Sequence, residues 1–124
     1  MAAPNIVNIS SMLGKTDVTS LSTTSATSLL DNPATSNKVM RVTSIRVANV
    51  DGTNSADITI NYYPEDNIGG TPVTMIQSKA VAANTNLDVI TTDTPLYLEE
   101  DKSLGAVASA ANDLVVFVTY EEIS

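Results

Sequence analysis

Residues 39–63 read Val39-Met40-Arg41-Val42-Thr43-Ser44-Ile45-Arg46-Val47-Ala48-Asn49-Val50-Asp51-Gly52-Thr53-Asn54-Ser55-Ala56-Asp57-Ile58-Thr59-Ile60-Asn61-Tyr62-Tyr63, and this stretch decides the fold. In its second half Ile58, Ile60 and Tyr62 alternate with Asp57, Thr59, Asn61 and Tyr63. A period of two is the pattern of a strand with one buried face. The first half carries Val39, Met40, Val42, Ile45, Val47 and Val50, a density of branched residues that suits a pleated surface. Between the halves stands Asp51-Gly52, a dipeptide that predicts a hairpin turn.

The same grammar continues in both directions. Residues 73–82 and 86–91 read as a further strand pair separated by Ala83-Asn84-Thr85, after a polar loop over 64–72. Pro95 opens Leu96-Tyr97-Leu98, and Glu99-Glu100-Asp101-Lys102 turns the chain. Residues 103–110 and 114–120 read as a last hairpin around Ala111-Asn112-Asp113, with Leu104, Ala106, Ala108 and Ala110 on one face, small enough for another layer to approach closely. Upstream, residues 16–30 are rich in Ser and Thr but interleaved with apolar positions. They predict one or two strands closed by a turn at Asp31-Asn32-Pro33, the alternative being a disordered linker. Helix signals are nearly absent, since Thr, Ser and Val lose rotamer freedom or compete for backbone bonds in a helix.

About eight short strands at this spacing predict an all-β fold, an antiparallel β-sandwich and most specifically a jelly roll. Ile58, Ile60, Leu98, Val116 and Val118 are the expected core. Residues 11–124 are expected to form a single sandwich domain. Residues 1–10 form either an N-terminal arm or the first strand of the chain's own sheet. In the arm reading Ile6, Val7 and Ile9 are interface residues, anchoring the segment on a neighbouring copy or another protein.

At 124 residues the chain can bury a core without staples. Aromatics make up only 4% of it, so that core is aliphatic. Fourteen acidic residues against six basic ones give a net charge of −8, which disfavours nucleic-acid partners because phosphate affinity rests on Lys and Arg. No apolar run approaches the roughly 20 residues of a membrane span. The opening residues lack the basic and apolar regions of a secretory signal, so a soluble setting is expected.

With no His and no Cys, the chain cannot build a Ser-His-Asp or Cys-His centre or an ordinary zinc site. No catalytic, cofactor-binding or metal residue is therefore assigned, and no enzyme is expected. Three acidic features are candidates for chemistry. Glu99-Glu100-Asp101 could pair acids or hold calcium, but adjacent strand residues point to opposite faces, which favours a solvated turn. Glu121-Glu122 reads as a charged strand end. The segment from Asn49 to Asp57 has Asn54 where a calcium loop requires Gly and Ile60 where it requires Glu, so it reads as a turn.

The stretch 42–60 quoted above resembles a segment of small virion proteins of tailed, particularly marine, bacteriophages. So does the ending Thr94-Pro95-Leu96-Tyr97-Leu98-Glu99-Glu100-Asp101-Lys102-Ser103-Leu104, through Ala108-Ser109-Ala110 to Val118-Thr119-Tyr120-Glu121-Glu122-Ile123. Where similar proteins often carry a polar or charged residue after the Ser-Leu pair, this chain has Gly105. The resemblance implies a non-enzymatic structural protein made in the host cytoplasm and carried on the virion. Its first implied role is capsid decoration (cement), binding the major capsid protein or other virion proteins, as a homotrimer. The alternative it implies is a tail, neck or fibre component that binds a receptor or glycan. The absence of Trp weakens that alternative, because sugar sites favour an aromatic platform.

Overall fold

The structure, a computed structural model, describes residues 10–124. Among these residues nine strands follow one another: β1 (Met12–Ser20), β2 (Thr27–Asn32), β3 (Val39–Asn49), β4 (Ala56–Tyr63), β5 (Val73–Val81), β6 (Asn86–Ile90), β7 (Leu96–Leu98), β8 (Lys102–Ala108) and β9 (Leu114–Ile123). They form two antiparallel sheets. The first runs β1-β9-β3-β6, with β7 continuing the β6 edge along the other half of β3; the second runs β2-β8-β4-β5. No helix long and apolar enough to cross a membrane occurs among the described residues.

The pairing is that of one long hairpin rolled on itself. Its tip is the 64–72 loop between β4 and β5, and its two arms then pair β3 with β6 and β7, β2 with β8, and β1 with β9. Rolling the ribbon adds β3·β9 and β4·β8, which closes each sheet. This is the jelly roll expected from the strand spacing.

Three expected hairpins are not hairpins. The turn at Asp51-Gly52 carries the chain from β3 in the first sheet to β4 in the second. Residues 82–85 carry it back from β5 to β6, and 109–113 carry it from β8 to β9. Each turn does reverse the chain, as its Gly, Asn and Asp residues dictate, with Asn84 and Asn112 in the left-handed region. What turn chemistry leaves open is whether the chain re-enters the same sheet or steps across the sandwich. Likewise the turn expected at Asp31-Asn32-Pro33 begins two residues later, at Pro33, because β2 runs through Asn32.

Alternation fills the space between the sheets. Ile58, Ile60, Leu98, Val116 and Val118 are all at most 1% exposed, joined by Val42, Ile45, Val47 and Leu104. Ala106 and Ala108 face the same interior and are as deeply buried, so their small side chains let the sheets close together as the sequence suggested. The opposite face of β8 is covered too. Ser103 Oγ donates to Glu65 O (2.8 Å) and accepts from Ile68 N (2.8 Å), which draws the 64–72 loop down over Gly105.

Candidate contact surfaces

The expected interface residues Ile6, Val7 and Ile9 lie outside the described residues. Within them, the two sheets gape where the edge strands β1 and β2 run side by side. The cleft is about 500 Å³, with Leu30 and Met40 at its base and Asp17, Asp31, Lys38, Tyr120 and Glu122 around it.

Glu122 shows why a charge can sit there. It takes an inward-facing place on β9 and is 9% exposed. Lys38 Nζ donates to one carboxylate oxygen (2.9 Å) and Lys15 Nζ to the other (3.2 Å), so both oxygens are satisfied by opposite charge. The Lys38 hydrogen bond, with Lys15 adding to it, outweighs desolvation and holds the carboxyl below its ordinary range. Two positions earlier, the Tyr120 hydroxyl reaches Asp17 Oδ2 (3.4 Å). Burial, with the Asp17 charge second, pushes its phenol up to about 12. Efficient acid–base catalysis needs a group titrating near the working pH, and these two are driven away from it on opposite sides.

The other acidic features are structural ties. Glu100 Oε2 accepts from Asn37 N (3.0 Å) and Asp101 Oδ1 from Asp66 N (3.2 Å), so the 99–101 turn pins the two neighbouring loops. Asp66 Oδ2 in turn accepts from Ala34 N (3.0 Å). Among the described residues no cluster of three or more acidic, His or Cys side chains could hold a metal ion. Asp51 closes an Asx turn on Thr53 N (2.8 Å); that hydrogen bond, chiefly, lowers its carboxyl. Buried Asn49 donates Nδ2 to Val81 O (2.8 Å) and Asn54 O (3.0 Å), stapling the crossover between the sheets.

Charge is divided unevenly over the molecule. The strands of the first sheet carry Lys15, Arg41 and Arg46 against Asp17, Asp88, Glu121 and Glu122, and Lys38 beside them restores balance. On its outer face Arg46 pairs with Asp88 (2.9 Å) and Arg41 with Glu121 (3.1 Å). The remaining cations are Lys79 and Lys102, so the whole net charge of −8 resides on the second sheet and the loops. The neutral face carries exposed Val18 and Phe117 in register, flanked by Thr16, Ser44 and Thr119. Composition alone could not locate this face, because it arises only when the rolled topology brings β1, β3, β6 and β9 together.

No family model matches the chain, and no curated protein matches it either. Among solved structures, a chain from work described as "Bacillus endospore appendages form a novel family of disulfide-linked pili" is similar with a TM-score of 0.49 and 15% identity, over 90% of this chain and 86% of that one. A similarity this low carries no argument about either fold or function.

Proposed function

We propose that this protein is a non-enzymatic structural component of a tailed-phage particle, a decoration protein on the capsid surface that binds the major capsid protein through protein–protein contacts. The observation that carries the reading is the separation of charge: one sheet face is neutral and partly apolar, while the rest of the molecule holds the full −8. A protein face neutral enough to desolvate suits a contact, and an acidic remainder suits the solvent side. The resemblance of residues 42–60 and 94–123 to small virion proteins supports the same role. The cleft chemistry supports a non-enzymatic one, since its ionised Glu122 and protonated Tyr120 are both held away from neutral pH.

Immunogold labelling of intact particles of the phage that encodes the chain tests this. Label spread over the head at symmetry-related positions is the expected result. Label confined to the tail, neck or fibres would replace it with the receptor- or glycan-binding role, and particles without label would overturn a virion role altogether.

A further inference from the structure

β1 is an edge strand. Over nine residues it has one neighbour among the described residues, β9, and it contains no proline and no register shift. Ser11 exchanges hydrogen bonds with Ser124 at one end (both 2.9 Å), and Leu21 N donates to Leu114 O (2.9 Å) at the other. Odd-numbered residues therefore point their backbone groups at β9. Met12, Gly14, Thr16, Val18 and Ser20 turn theirs to the free edge. A long, regular edge of this kind is a template for another strand, and proteins usually blunt it with charge, a bulge or proline. Here the only charges are Lys15 and Asp17, symmetrically placed about Thr16.

That spacing has a consequence. We propose that two copies of this chain pair through their β1 strands, antiparallel, about a twofold axis passing through Thr16. In this register Thr16 faces Thr16 of the second copy, and each Lys15 faces the other copy's Asp17. The residues that face one another as hydrogen-bonding partners, Gly14 with Val18 and Met12 with Ser20, are those whose backbone groups already turn outward. The contact supplies about ten backbone hydrogen bonds. It also supplies two cross-strand ion pairs at the closer, non-hydrogen-bonded positions. Val18, which is 57% exposed, comes to lie opposite Gly14, whose Cβ position is open space. The paired sheets become continuous, and their neutral outer faces join into one surface. A chain of net charge −8 repels its own copies, and this edge is where the charges complement themselves instead. Twofold pairing differs from the trimer implied by the family resemblance. It does not depend on where the protein resides.

Sedimentation velocity of the purified chain over a concentration series, at low salt, tests it. The expected species is a dimer in exchange with monomer. Asp17→Lys sets Lys15 against a second lysine and Lys15→Asp sets two aspartates together; because Asp17 also meets Tyr120 and Lys15 also meets Glu122 within the chain, circular dichroism first checks that each variant is folded. Each raises the dissociation constant by about tenfold or more. An equimolar mixture of the two variants regains the wild-type constant within a few-fold, because Lys then faces Asp again. Thr16→Pro removes an N–H that has no backbone partner among the described residues, so it abolishes the dimer and leaves the circular dichroism spectrum unchanged. A wild-type chain that is monomeric at every concentration overturns the proposal. So does an oligomer indifferent to these charges, or a variant mixture that associates no better than its parts.

Discussion

The ring of Tyr63 lies against Gly105 on the outer face of the second sheet, so closely that a Cβ at position 105 would stand 2.8 Å from Tyr63 Cε1. Ile68 Cγ2 at 3.0 Å and the Thr27 carbonyl at 3.2 Å close the other sides. A side chain at position 105 would therefore lift the 64–72 loop. Gly105→Ala is expected to lower stability by about 1–3 kcal/mol through overpacking. Gly14→Ala, where nothing lies within 4 Å, should be neutral or slightly stabilising. Thermal unfolding of the two variants side by side checks the contrast.

Asn32 is completely buried at the end of β2, and its amide nitrogen donates to Leu98 O (2.9 Å) and Lys38 O (3.0 Å). One side chain thus ties β2 to β7 and to the entrance of β3. Asn32→Ala strands two carbonyls and should cost about 1–3 kcal/mol. Asn32→Asp should cost more, because an acceptor then faces acceptors. Urea unfolding at neutral pH would show this order, and an unchanged midpoint for Asn32→Asp would refute the assigned role.

Strand positions were legible because β propensity, alternation and turn residues act within a few residues of one another. Ile58-Thr59-Ile60 could only be a strand with one face inward, and Asp51-Gly52 could only reverse the chain. Sheet membership was not legible, since it depends on how the whole ribbon rolls. That is why β8 and β9 looked like a hairpin and lie in different sheets. The charge cluster was hidden for the same reason: Lys15 and Glu122 are 107 positions apart, and Glu122 reads locally as a solvated strand end. The one available signal was period two along β9, which places Glu122 on the same face as Val116, Val118 and Tyr120 and therefore inside.

Val116 is fully buried and Glu99 is exposed. Val116→Ala should cost on the order of 1–3 kcal/mol through lost burial and the cavity it leaves. Glu99→Gln should stay within about 0.5 kcal/mol, as surface substitutions usually do. A Glu99→Gln variant that kept its fold but failed to assemble would reveal a contact role for the acidic turn.

Tyr120 sets the alkaline limit. Its phenol is raised from 10.0 to about 12 in the folded chain, so the protonated form is favoured by folding. That contribution is complete below pH 10 and is lost as pH rises from 10 towards 12, on the order of 2–3 kcal/mol in all. Tyr120→Phe should be flatter across that window. Following phenolate absorbance and unfolding together separates Tyr120 from the other tyrosines.

Glu122 sets the acid limit, with the opposite sign. Its folded carboxyl titrates below the ordinary 4.5 because Lys38 and Lys15 bond the ionised form. Above 4.5 both folded and unfolded chains hold Glu122 ionised, and its stabilisation is fully present. As pH falls below 4.5 the unfolded chain takes up the proton first, and the stabilisation drains away until the folded carboxyl is also protonated. Glu122→Gln leaves the two lysines without their shared counter-charge, so it should be less stable than wild type at pH 7. The gap should hold constant down to about pH 5 and narrow steadily below 4.5. Denaturant unfolding of both proteins between pH 3 and pH 7 measures that gap directly. A gap that stayed constant through the acid range would mean that Glu122 contributes through packing alone and that the two lysines do not hold its charge.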